Sequence, residues 1–213
     1  MLGLGLIALG AATFPARAEN KPERVNTALL HKNPIMKDMV WGKADAPVTI
    51  VEYASATCPH CADFHINEFP AIDKEYIATG KVRFIFREFP LDSVALATFM
   101  LIRCAAGDDA EKYKAVLNMV MKSQREWVKD PRGGLQKIMA LAGLKDEAFE
   151  KCLQNQELAK KIANSARSAS RDFQIESTPI FFVNGLRVEG RRPIAEFRKI
   201  IDAELQRASE GAK

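Results

Sequence analysis

Apolar positions change period several times along this chain, and each change marks an element. Val48-Thr49-Ile50-Val51-Glu52-Tyr53-Ala54 is β-branched and apolar on both faces, as a strand covered on both sides must be. From Cys58 the pattern reads as a helix, kinked or ended near Pro70, running on through Ala71 to Ile77 and stopped at Gly80. Val82, Phe84 and Phe86 alternate with Arg83, Ile85 and Arg87 in a second strand ended by Pro90. Asp92 or Ser93 then caps a helix whose Val94, Thr98, Leu101 and Ala105 recur at helical spacing as far as Gly107. Tyr113, Val116, Leu117, Val120 and Met121 form a second amphipathic face.

Pro131 and Gly133-Gly134 read as a loop, followed by short helices over Leu135 to Leu144 and Asp146 to Leu153. Leu158, Ile162, Ala166 and Ala169 give a longer helix reaching Phe173. Strand signals return at Ile180-Phe181-Phe182-Val183, and Asn184-Gly185 turns the chain into Leu186-Arg187-Val188. Ile194, Phe197, Ile201 and Leu205 mark the last helix. Without the long helical stretch a βαββα core remains, so the chain is α/β. The boundaries predicted are an arm at 19–45, a core at 46–90 and 174–213, and a helical insert at 91–173. Residues 19–34 are polar and proline-punctuated, which predicts a loosely ordered arm.

The ends and the charge narrow the compartment. Met1 to Ala18 reads as a signal peptide: an apolar run too short to span a bilayer, then the small-x-small site Ala16-Arg17-Ala18, with cleavage after Ala18. No Lys or Arg follows Met1, and Gly3, Gly5 and Gly10 argue against a buried helix there. The net charge of +4 comes from cations interleaved with anions, without a basic stripe or aromatic ladder, so no nucleic-acid partner is expected.

The chemistry is concentrated in Cys58-Pro59-His60-Cys61, a CxxC between a buried strand and a helix. A cysteine in the first turn of a helix faces unpaired N–H groups and the positive end of the dipole, which favour the thiolate that attacks disulfides. A zinc or copper carrier using these thiolates is the alternative from another class. Zinc would need two more ligands, and Cys104 and Cys152 occur singly, so no metal is expected. Haem attachment would need a histidine at Ala62, and a purely structural bridge closing so small a ring would constrain little.

CPHC, Glu52 six residues ahead of it, Thr178-Pro179 before a strand and a helical insert together resemble the DsbA-like thiol:disulfide oxidoreductases. The likeness spans about residues 40 to 210 and implies a thioredoxin-like fold with an inserted helical domain. It implies that Cys58 is the attacking thiol, Cys61 the resolving one, and His60 an aid to the Cys58 thiolate rather than an exposed loop imidazole. Thr178-Pro179 would be a cis-proline loop that, with Pro59, meets substrate. Glu52 would be a buried acid exchanging a proton with Cys61; a carboxylate paired with an arginine at a strand edge is the alternative. For His31 and His65 nothing in the sequence indicates chemistry. With export, Cys104 and Cys152 are expected to form a disulfide clamping the insert rather than to remain separate buried thiols.

The function expected is that of an exported, periplasmic oxidoreductase, introducing disulfides into reduced secreted polypeptides without a cofactor. A membrane reoxidant of the DsbB type is what the resemblance implies. A reductase or isomerase kept reduced at the same site is the alternative; with so short an arm, a monomer is expected.

Overall fold

The computed structural model describes residues 24–33 and 35–211. The signal-peptide reading and its cleavage site lie outside the described residues. In chain order the elements are α1 (Thr27–Leu30), β1 (Met39–Trp41), β2 (Val48–Ala54), α2 (Pro59–Asn67), α3 (Phe69–Ile72) and a π-helical turn, Asp73–Ile77. Next come β3 (Val82–Glu88), α4 (Ser93–Ala106), α5 (Ala110–Lys122), α6 (Gln124–Trp127), α7 (Pro131–Leu141), α8 (Asp146–Leu153) and α9 (Gln156–Phe173). β4 (Ile180–Val183), β5 (Leu186–Glu189) and α10 (Ile194–Gly211) complete the chain. The fold is thioredoxin-like, with α4 to α9 inserted between β3 and β4.

The five strands are ordered β1-β3-β2-β4-β5. β2 runs parallel to β3, and the other neighbours pair antiparallel. Every residue of the central β2 is buried, which is why its sequence is apolar on both faces. Alternation sends Ile50, Glu52 and Ala54 one way and Val51 and Tyr53 the other. The first face packs Ile50 and Phe84 with Phe64, Phe69 and Phe197 and continues into the insert. The second face packs Val51, Tyr53, Ile85 and Phe182 under Ala166, Ala169 and Phe173 of α9. Helix α9 thus covers the core sheet rather than only its neighbouring helices.

Three local expectations change. The arm is docked: Asn26 caps α1, Leu30 is fully buried in the second-face core, and the Arg24 guanidinium donates to Glu204 at 2.5 Å. Within it, β1 was not foreseen as a strand, because three residues show too little alternation. It exists because Met39 to Trp41 pair with Phe86 to Phe84, and Trp41 Nε1 donates to Ala110 O at 2.9 Å.

The third change is at Pro131-Arg132-Gly133-Gly134, which is the first turn of α7 and not a loop. Asp130 accepts from Gly133 N, and Pro131 sits where a helix has no use for its missing N–H. Gly134 is a packing requirement, since a Cβ there would come within 2.5 Å of Trp127 Cβ. At Pro70 the helix breaks as anticipated, with Glu68 between α2 and α3. Cys104 in α4 and Cys152 in α8 are joined, with Sγ–Sγ 2.10 Å and Cα–Cα 6.2 Å.

Candidate active site

The chain leaves β2 through Ser55-Ala56-Thr57, and Cys58 caps the helix that follows. Cys58 N donates to Ser55 O at 3.2 Å, and Pro59 occupies the first helical position. The turn is held from outside as well. Gln124 of α6 donates from Nε2 to Ala56 O at 2.8 Å and to Cys58 O at 2.9 Å, while the Thr57 hydroxyl donates to Asp92 Oδ2. The Asp92 carboxylate also caps α4, so one side chain couples the turn to the insert.

The two cysteines are free thiols in unlike surroundings. Cys58 is 8% exposed at the edge of the protein, and Cys61, one turn on, is sealed from solvent. A hydrogen bond from the Cys61 thiol, with further donation from Thr178 and from the backbone N–H groups of Cys61 and His60, outweighs burial and holds Cys58 down at about 5. Burial pushes the Cys61 thiol well above the usual thiol range, and its bond to Cys58 and the charges of Cys58 and Glu52 push it further. One sulfur is therefore an anion at neutral pH and the other carries a proton. That asymmetry suits attack by the first and resolution by the second.

The Thr178–Pro179 peptide bond is cis, and it brings the Thr178 carbonyl oxygen to 3.2 Å from Cys58 Sγ. The Thr178 hydroxyl is buried and makes no full hydrogen bond; it acts on the Cys58 sulfur as a nearby donor. The Pro59 and His60 side chains are exposed. At His60 it is the backbone N–H, given by its place in the helix, that faces the Cys58 sulfur.

Glu52 lies on the α2 face of β2 at 0% exposure, beneath Cys61. Its Oε2 is 3.0 Å from Nε2 of His65, itself 2% exposed, while Glu52 Oε1 and His65 Nδ1 have no hydrogen-bond partner. Each unpaired buried polar atom costs about 1–3 kcal/mol, so the pair is a poor device for stability. Nothing in the sequence tied His65 to chemistry; the structure seats it against Glu52. Its place four residues after Cys61, on the same helix face, is the signal that could have found it. Gln124 was also missed and carried no signal, since its role depends on where α6 packs. Among the described residues no three His, Cys, Asp or Glu side chains converge as metal ligands would.

Residues 35–203 match the family model described as Thioredoxin. A Rickettsia conorii protein, provisionally named protein-disulfide oxidoreductase RC0029, is 31% identical over 93% of this chain and 76% of its own length. Disulfide bond formation protein D of Bacillus subtilis is 26% identical over 88% of this chain and 86% of its own. The crystal structure of Wolbachia pipientis alpha-DsbA1 superposes with a TM-score of 0.80 at 34% identity, covering 89% of this chain and 100% of that one. With a CxxC at a helix start facing a cis-proline loop, and relatives of this name across most of its length, this chain belongs to the thioredoxin family as a DsbA-like protein thiol:disulfide oxidoreductase.

Proposed function

We infer that the protein works as an oxidase, passing its Cys58–Cys61 disulfide to reduced cysteines of secreted polypeptides. The observation that carries this reading is the Cys58 thiol held at about 5. A group that stabilises the thiolate stabilises the reduced form, and a stabilised reduced form makes its disulfide a stronger oxidant. In the cycle a substrate thiolate attacks Cys58 Sγ and Cys61 leaves. A second substrate thiolate then attacks the mixed disulfide and releases Cys58 as thiolate. Glu52, the charged group beneath Cys61, exchanges the proton that Cys61 gains and loses. The cis Thr178–Pro179 edge and Pro59 border the reacting sulfur and would meet the substrate strand.

This reading places the protein in an oxidising compartment, the periplasm, as an exported monomer reoxidised by a DsbB-type membrane protein. The leader-like residues 1–18 and the cross-linked insert support export. No described helix is long and apolar enough to cross a membrane.

Equilibration of the purified protein with glutathione buffers tests the direction. A midpoint above that of the glutathione couple supports the oxidase. One near thioredoxin's, about −270 mV, would give the reductase or isomerase instead.

A further inference from the structure

Packing alone does not explain an imidazole at position 65. The ring lies among Phe64, Phe69 and Phe86, with centroids 5.4, 5.1 and 5.8 Å away, a niche that another phenylalanine would suit. Instead it carries an Nδ1 with no partner, beside a carboxylate whose Oε1 also has none. Around this pair the other titratable groups are Cys61 on α2 and Tyr113 on α5, whose hydroxyl is donated to Glu88 of β3, itself bound by Arg103 of α4. Tyr113 is fully buried and held protonated, so it neither supplies nor takes a proton near neutral pH. Among the described residues, the Glu52 charge bears on Cys61 inside the core, and His65, one helical turn after Cys61, is hydrogen-bonded to Glu52.

We propose that His65 is a positioning residue that shares with Glu52 one further proton beyond its own Nε2–H, and that the pair gives this further proton to Cys61 Sγ when the active-site disulfide opens. This rests on the exchange chemistry proposed above. The substrate thiolate forms a bond to Cys58 Sγ as the Cys58–Cys61 bond breaks, and the electron pair goes to Cys61 Sγ. That sulfur takes the shared proton, which leaves the Glu52 carboxylate held by the Nε2–H of a neutral His65. When Cys61 later attacks a mixed disulfide on Cys58, its proton returns to the pair. A buried sulfur can thus leave as a thiol with no water reaching it, and Glu52 never stands as an uncompensated charge next to a departing anion.

The test follows reduction of the Cys58–Cys61 disulfide by dithiothreitol in rapid-mixing experiments across pH 5 to 8. It compares the native protein with Glu52→Gln, His65→Gln and the double variant. His65→Gln can still donate to Glu52 but cannot hold a proton. It should slow the reaction on the order of 10²-fold and flatten its pH profile, and the double variant should be no slower than Glu52→Gln. A His65→Gln variant with native rate and profile, or effects that simply multiply, would overturn the proposal. Should His65→Gln fail to fold, nitrogen-15 NMR of the native ring decides. Ring protonation must differ between oxidised and reduced protein, and identical spectra reject the idea. Alkylation of Cys58 in the same samples separates the two levels: an ordinary thiol there removes the exchange reading and this inference with it. A reactive Cys58 beside a silent His65 removes only the latter.

Discussion

Cys58 Sγ lies 3.2 Å from the carbonyl oxygen of Thr178, a residue 120 positions further along the chain. The contact joins the helix that carries the reacting sulfur to the edge of β4, the strand that pairs with β2. On the proposed function, a polypeptide cysteine reaching Cys58 would also meet the Thr178–Pro179 edge.

The first expectation concerns Cys58 alone. Iodoacetamide should alkylate the reduced protein with a half-maximal rate near pH 5, where the thiol is held, instead of near the usual 9. Stability follows by linkage. Between those two pH values the unfolded chain binds a proton at Cys58 that the folded chain does not, so the reduced protein gains stability as pH rises from 5 to 9 and loses it as pH falls through 5. Cys61, shifted upward, is protonated in both states across that window and leaves the slope unchanged. Thermal melts at several pH values should show a steeper slope in reduced native protein than in Cys58→Ser, which keeps the contribution of His31, held below its usual range by burial.

Removing the resolving thiol should trap the intermediate. Cys61→Ser mixed with a cysteine-containing peptide disulfide is expected to accumulate a mixed disulfide on Cys58, visible by mass spectrometry. Cys58→Ser should form none, because Cys61 is sealed from solvent and held protonated. Adducts on Cys61 in that variant would contradict the burial.

Thr178→Val keeps the backbone carbonyl at 3.2 Å and deletes only the hydroxyl. Thr178 contributes to lowering the Cys58 thiol, so the alkylation curve should move to higher pH and the disulfide should become a weaker oxidant in glutathione buffers. An unchanged curve would leave the stabilisation to Cys61 and the helix N–H groups.

The Cys104–Cys152 bridge closes a 48-residue separation across the insert. Cys104→Ala/Cys152→Ala should lose about 2–4 kcal/mol in urea unfolding of the protein with Cys58 and Cys61 held reduced. The Cys58 alkylation curve should stay in place, because the bridge joins α4 to α8 and none of the groups lowering the Cys58 thiol lies on either helix. Unfolding curves that superpose would mean the bridge adds nothing.

Much of the site was legible because its chemistry is local. A CxxC one turn after a buried strand needs nothing beyond neighbouring residues to acquire a helix N-terminus, and that alone supplies two of the donors around Cys58. Glu52 stood out as the one charge in an apolar strand. The helical periods of α4, α5 and α9 were readable for the same reason, since each has an apolar face several turns long. The Gly133-Gly134 pair misled because Asp130 and Trp127, not propensity, decide that turn.

What the sequence determined by itself was the order of the longer elements and the place of the CxxC at a helix start, both consequences of local period and backbone electrostatics. Tertiary structure decided the rest through contacts between distant residues. It seated His65 against Glu52, placed Gln124 on the active-site turn, added β1 to an edge of the sheet, and set the depth at which Cys61 sits. The physical reason is common to all four. Burial and hydrogen-bond partners belong to a pair of surfaces, and no single segment records which surface will face it.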